Sequence, residues 1–169
     1  LQTSKHLIRD KINLIEIPNR DKRDLQLIEQ LKQFNNRIIL GFSPIKLEPN
    51  ITPFLIERDK NGYIIGLPAI IDGKIIFKRF SQRTKIGKFG IIESDTDQLI
   101  DLSCQEILCL TPLIASAACD RLGRGGGYYD RFFASHPNIL KLGVCYREQV
   151  LDAIPMEGDD VRLDLIVTC

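Results

Sequence analysis

Tryptophan is absent from this chain, methionine occurs once and histidine twice. The two histidines, His6 and His136, stand far apart, and the five cysteines (Cys104, Cys109, Cys119, Cys145 and Cys169) form no C-x-x-C pair. That spacing excludes a zinc site of the usual kind and offers no Cys-His or Ser-His-Asp arrangement for covalent catalysis. An odd number of cysteines without a disulfide framework fits reduced thiols, and hence a cytoplasmic setting, with most of them acting as small buried hydrophobes. No apolar run approaches the roughly 18–20 residues of a membrane span, and the N-terminal residues are polar, so no membrane association is expected. A formal net charge of +1 is too small for a protein that holds nucleic acid by bulk charge, so no nucleic-acid partner is expected. Repeats, low-complexity tracts and linkers are also missing. What remains is a chain of 169 residues, expected to form one domain over 1–169, a monomer with a substantial core.

Glycine, in contrast, is concentrated. Residues 121–131 read Arg-Leu-Gly-Arg-Gly-Gly-Gly-Tyr-Tyr-Asp-Arg, with Gly123, Gly125, Gly126 and Gly127 interleaved by Arg124 and preceded by Arg121 and Leu122. A glycine run is entropically costly and is tolerated where backbone must approach a ligand closely or adopt positive φ. After Gly127 a helix is expected, with Tyr128, Phe132 and Phe133 on its apolar face and Asp130 in its first turn. A glycine loop feeding a helix N-terminus gathers unpaired N–H groups in one concavity suited to phosphate, and neighbouring arginines add charge-assisted contacts. The plainer reading is a tight turn with ordinary surface charges. The flanking arginines and the Tyr128-Tyr129-Asp130 tail favour the anion site. It is neither a Walker A loop, lacking G-K-[ST], nor G-x-G-x-x-G, because Tyr128 stands at the third glycine position.

The rest of the chain alternates helix and strand. Apolar spacing predicts helices over 3–16, with Ser4 as N-cap, and over 22–34, with Leu25, Ile28, Leu31 and Phe34 as the buried stripe. Lys5 and Arg9 lie four apart, on one face of the first helix. Strands are expected at 37–42, 63–68, 74–79, 104–114, 140–146 and 163–168, a short helix at 52–60, a helix at 128–135 and a brief helical piece at 148–154. Asp72-Gly73 marks a hairpin turn. The loop 41–53, punctuated by three prolines, carries Ser43 and Glu48. This order predicts an α/β fold with a mostly parallel sheet.

Arg121-Leu-Gly-x-Gly-x-Gly-Tyr-Tyr-Asp130 resembles the signature of the 5-formyltetrahydrofolate cyclo-ligases, also called methenyltetrahydrofolate synthetases. Lys5-x-x-x-Arg9 is similar to the start of that family's first helix, and Gly87-Lys-Phe-Gly-Ile-Ile-Glu93 resembles its G-x-F-G-I-x-E-P segment, with Ser94 in place of the proline. The family has a spacer of about four turn residues before Arg-Leu-Gly, which Cys119-Asp120-Arg121 omits. The resemblance spans nearly the whole chain. It implies a three-layer Rossmann-like domain similar to the isomerase and CoA-transferase group.

It also implies roles for these residues. Lys5, Arg9 and residues 121–129 would bind ATP, with Arg124 acting in catalysis. Ser43, Glu48, Phe89 and Tyr128 would hold a reduced folate, the carboxylate of Glu48 accepting hydrogen bonds from the amino-pyrimidine edge of the pterin. Asp130 and Asp160 would serve Mg²⁺, which in phosphate chemistry takes one or two carboxylates and completes its shell with phosphate and water. The activity implied is ATP-dependent closure of 5-formyltetrahydrofolate to the 5,10-methenyl form. Two other readings stand beside it: a nucleotide- or folate-binding protein without turnover, motivated by the short Cys119–Arg121 junction, and a sugar-phosphate or CoA-ester enzyme on the same fold, for which Glu48 or Glu93 would have to supply the carboxylate.

Overall fold

The computed structural model describes residues 2–103 and 106–169, with side chains from residue 4 onward. In chain order the helices are α1 (Gln2–Ile12), α2 (Arg20–Leu31), α3 (Thr52–Lys60) and α4 (Tyr128–Ser135). The strands are β1 (Ile38–Leu40), β2 (Ile64–Ile71), β3 (Lys74–Arg79), β4 (Thr84–Ile86), β5 (Ile92–Ser94), β6 (Ile107–Pro112), β7 (Ala115–Ala117), β8 (Asp120–Leu122), β9 (Leu140–Cys145) and β10 (Leu165–Thr168). Two short 3₁₀ turns, Lys88–Gly90 and Arg147–Gln149, complete the set.

Six strands form the central sheet in the order β10-β9-β6-β1-β2-β3, parallel throughout except for the β2–β3 hairpin. Its inner strands are apolar on both faces, as a sheet covered on both sides requires. Ile39, Leu108, Leu110, Leu142 and Val144 meet α2 and α3 on one side. Ile38, Leu40, Ile107 and Cys109 meet Phe132 and Phe133 of α4 on the other. The result is three layers, helix–sheet–helix. A smaller cluster joins Ile12 of α1 to Ala115, Ala117 and Leu122 of the β7–β8 hairpin.

Several boundaries differ from the sequence expectation, each for a local reason. α1 begins before Ser4, which is therefore a helical residue and not the N-cap. The buried stripe of α2 runs through Leu27, Ile28 and Leu31, while Leu25 is exposed, because packing against the sheet selects the face that carries Leu27. β2 continues past Pro68 to Ile71, since Pro68 faces Phe77 on a hairpin that still closes at Asp72-Gly73. The expected strand from Cys104 begins at Ile107, and Cys104 itself lies outside the described residues. Of the expected 148–154 piece only 148–149 is helical, within the turn Arg147–Gln149. The expected helices at 52–60 and 128–135 match α3 and α4 residue for residue.

Candidate functional site

From β1 the chain proceeds to β2 and β3 on one side, while β6 starts the opposite half of the sheet towards β9 and β10. Strand order thus reverses between β1 and β6, and in open α/β sheets the crevice beyond the carboxyl ends of such strands is the usual ligand site. A cleft of about 1250 Å³ occupies that position, walled by the segment after β1, by Pro112 at the end of β6, by the glycine loop and by α1. Single drug-sized ligands fill roughly 300–1,000 Å³, so this cleft has room for two substrates together. Every residue singled out from the sequence lines it, from Lys5 and Arg9 through Ser43, Glu48 and Phe89 to 121–130 and Asp160.

The glycine loop is delivered by β7 and β8, a hairpin turned at Ala118-Cys119 with Ala118 at φ 52°. Leu122 C=O accepts from the Ile114 N–H at 2.8 Å, so the shortened junction closes as a tight hairpin and leaves residues 123–127 free of the sheet. Gly125 and Gly127 adopt φ of 111° and 68°, a region other residues enter only with strain. Gly127 precedes α4, whose first intrahelical bond runs from Arg131 N–H to Gly127 C=O. The N–H groups of Tyr128, Tyr129 and Asp130 therefore have no carbonyl one turn back, and these three residues line the cleft.

The arginines divide. Arg121 donates from Nε to Pro112 C=O at 3.0 Å and lies over the Tyr129 ring. Its enclosure pulls the pKa down, opposed by Asp130 and Tyr129, and the guanidinium remains charged. Arg131 donates to Gly126 C=O at 2.9 Å and braces the loop from outside. Arg124 reaches across the cleft to Glu48, with Nη2 and Nε at 3.1 and 3.3 Å from Oε1. Tyr129 keeps a buried hydroxyl without a hydrogen-bond partner, and burial raises its pKa well above the ordinary value.

Lys5 and Arg9 of α1 both arrive at the cleft, one turn apart as the helix repeat demands. Arg9 Nε donates to Gly123 C=O at 2.8 Å. Lys5, buried, places Nζ 2.6 Å from Asp160 Oδ2 and 3.3 Å from Glu157. Burial works against the Lys5 charge, but Asp160 and Glu157 outweigh it and raise its pKa. The Asp160 carboxylate likewise resists burial and is held below its ordinary range by Lys5 and the Glu157 N–H. Asp130 accepts from the Val161 N–H at 3.1 Å, so the two aspartates flank one stretch of backbone. No group of three His, Cys, Asp or Glu suited to a metal occurs among the described residues. Two carboxylates, each with one oxygen engaged by protein, still suit a cation that phosphate would complete.

Glu48 is only 6 % exposed. Burial raises its pKa above 4.5, offset in part by the Ile45 N–H at 2.9 Å and by Arg124. Ser43 lies on the same wall, four residues beyond the centre of β1. Phe89 sits at the rim on the β4–β5 hairpin with φ 58°, 67 % exposed, its ring 6.1 Å from that of Tyr128. Ser94, at the family's proline position, ends β5 fully buried, with its hydroxyl accepting the Ser81 N–H at 3.2 Å. Lys46, Lys88 and Glu157 also line the cleft and were not picked out as site residues, and Glu93, raised only as a carboxylate for another enzyme class, lies there too. Lys88 and Glu93 fall within the Gly87–Glu93 segment and could have been found there. Glu157 carries no local signal, since only the fold brings it to Lys5.

Residues 19–169 match the family model described as "5-formyltetrahydrofolate cyclo-ligase family". This chain belongs to that family. A Haemophilus influenzae 5-formyltetrahydrofolate cyclo-ligase is 31 % identical over 151 residues, which cover 85 % of this chain and 80 % of that protein. A Schizosaccharomyces pombe protein named "Probable 5-formyltetrahydrofolate cyclo-ligase" is 30 % identical over 129 residues, 64 % of this chain and 63 % of its own length. The solved structure of Aquifex aeolicus 5,10-methenyltetrahydrofolate synthetase superposes with a TM-score of 0.78 at 26 % identity, covering 99 % of this chain and 88 % of that one. The match to the family model begins after α1, so Lys5 and Arg9 stand outside it. Among the described residues no helix is long and apolar enough to cross a membrane.

Proposed function

We propose that this member of the cyclo-ligase family converts 5-formyltetrahydrofolate to 5,10-methenyltetrahydrofolate at the expense of ATP, with Mg²⁺ as cofactor. The formyl group on N5 is an unreactive amide whose oxygen leaves poorly. Transfer of the ATP γ-phosphoryl to that oxygen releases ADP and turns the oxygen into a leaving group; N10 then attacks the formyl carbon and gives up its proton, and departure of phosphate leaves the methenyl bridge. No protein nucleophile is needed. The protein's part is to position two substrates and to neutralise charge.

The observation that carries this reading is the meeting of Arg124 and Glu48 at 3.1 Å, which puts an anion-binding loop and a buried carboxylate in one cleft. Glu48 would grip the amino-pyrimidine edge of the folate, with Ser43 beside it and the rings of Phe89 and Tyr128 flanking the pterin. The first-turn N–H groups of α4, with Gly123–Gly127, Lys5 and Arg9, would take the nucleotide phosphates. Arg124, once released from Glu48, would neutralise the transferring phosphoryl group. Asp130 and Asp160 would hold Mg²⁺, whose contribution when bound is to neutralise phosphate charge. The closed β7–β8 hairpin supports turnover over binding alone, since the glycine loop is presented intact despite the missing spacer. Purified protein incubated with 5-formyltetrahydrofolate, ATP and magnesium should develop the absorbance of the methenyl product. A trace that is flat, or identical without ATP, would overturn the proposal.

A further inference from the structure

Behind Glu48, on the side away from the cleft, lies a polar network buried in the core. Arg20, the first residue of α2, donates from Nη2 to the Glu48 carbonyl at 3.0 Å and from Nε to the Tyr146 hydroxyl at 3.2 Å. That hydroxyl in turn donates to Asp24 Oδ1 at 2.5 Å. Tyr146 is fully buried and Asp24 nearly so, and none of the three residues lines the cleft. Burial and the neighbouring carboxylate push the Tyr146 pKa up, which keeps the proton on the phenol and fixes the direction of the chain of donors. The guanidinium groups of Arg20 and Arg23 lie over the same ring at 5.4 and 5.3 Å. Arg23 is itself held by both oxygens of Glu148 and by the Cys169 carbonyl.

Besides this network, the turn is held by Leu47, which packs against the core, by Arg124 from across the cleft, and by its own hydrogen bonds. Within 45–48, the Glu48 N–H donates to Ile45 C=O and the Ile45 N–H donates to the Glu48 carboxylate, both at 2.9 Å, with Lys46 at φ 47°. Such a self-closed turn fixes the carboxylate relative to the loop, but not the loop relative to the sheet. Leu47 packs the turn against the core, and Arg20 adds a directional tie at the Glu48 carbonyl, on α2 and the end of β9, which are anchored by Leu27, Ile28, Leu31 and Val144. Buried polar networks that are fully satisfied rigidify and specify one geometry.

We infer that Arg20, Tyr146 and Asp24 are positioning residues that aim the Glu48 carboxylate at its ligand. This rests on the reading of Glu48 as the folate-binding carboxylate. The relay touches the wall that carries Glu48 and bonds directly to none of the residues assigned to the nucleotide, so its loss should act chiefly on folate. A general scaffold would affect both.

The test is calorimetric binding of 5-formyltetrahydrofolate and, separately, of ATP with magnesium, to the full chain and to Glu48→Gln, Arg20→Met, Arg20→Lys and Tyr146→Phe. Glu48→Gln should weaken folate binding about tenfold or more, the scale of one hydrogen bond to a charged group. Tyr146→Phe, which keeps the ring in the core, and Arg20→Met should each weaken folate binding about tenfold and leave the ATP Kd within about twofold. Arg20→Lys should recover part of this, because an ammonium cannot fork between two acceptors. Combined with Glu48→Gln, either relay change should have little further effect, since contacts in one network are not additive. Equal losses for both ligands, or full additivity with Glu48→Gln, would overturn the inference. If Glu48→Gln alone leaves folate binding unchanged, the assignment of Glu48 falls instead, and the relay has no ligand to serve.

Discussion

Arg124, from the glycine loop, and Glu48, from the loop after β1, share the oxygen Oε1 of the carboxylate at 3.1 and 3.3 Å. The acid is nearly buried and the arginine about one-third exposed, so the pair spans the cleft from its wall to its mouth. A folate that takes the carboxylate and a phosphate that takes the guanidinium would each break this contact. Arg124 is thereby placed to sense both.

Arg124→Ala should lower kcat by about 10²–10³, the effect of removing one charge-stabilising donor from a preorganised site. Arg124→Lys should restore only part, lacking the planar fork. Steady-state kinetics with both substrates varied checks this. Normal turnover in Arg124→Ala would make the loop a folding turn.

Glu48 gives a pH dependence. Its folded pKa is raised above 4.5 by burial, so the native state binds this proton more tightly than the unfolded chain does. Stability should therefore fall as pH climbs from 4.5 through the folded value, and Glu48→Gln should remove that slope from a plot of Tm against pH. Folate affinity, needing the ionised acid, should rise over the same interval. Arg124→Ala should move that rise to higher pH, because Arg124 lowers the Glu48 pKa.

Asp130→Asn and Asp160→Asn should raise the magnesium concentration required for turnover much more than they lower stability. For Asp130 the helix-dipole contribution at stake is about 0.3–1 kcal/mol. Asp160 carries an extra stability effect, since its pKa is held below 3.8. The stability it supplies is present above 3.8 and is lost as pH falls through the lowered value. Magnesium titrations of activity, paired with thermal melts, separate the two effects. An unchanged magnesium requirement in both variants would rule out the metal assignment.

Cysteine chemistry should be dispensable. Burial pushes the Cys109 and Cys145 thiols up to about 12, where the reactive thiolate is scarce at neutral pH. Cys→Ser at either position should retain turnover wherever the fold survives, and native protein should resist alkylation there at pH 8. Full loss of activity in a folded variant would contradict this.

Much of the site was legible because its chemistry is local. Glycine spacing, the helix start at Tyr128 and the i, i+4 pair Lys5/Arg9 are properties of a few consecutive residues, and the structure gathers all of them in one cleft. The fold class followed from the order of apolar runs. What escaped depends on contacts between distant segments. Nothing near Lys5 announces Glu157 or the pairing of Lys5 with Asp160, and nothing near Glu48 announces Arg20 or Tyr146. The stripe of α2 was misphased for a related reason: Leu25 and Leu27 are equally apolar, and only packing against the sheet chooses between them.

Lys5 and Asp160 are 155 residues apart in sequence, yet their side chains meet at 2.6 Å on the cleft wall. Closing so long a loop is entropically costly and slow compared with local hairpins and helices. The wall that holds Lys5 therefore exists only once the two ends of the chain have docked. A chain that has formed α4 and its glycine loop, but has not yet docked residues 157–160 against α1, has the glycine turn without the wall that completes the cleft.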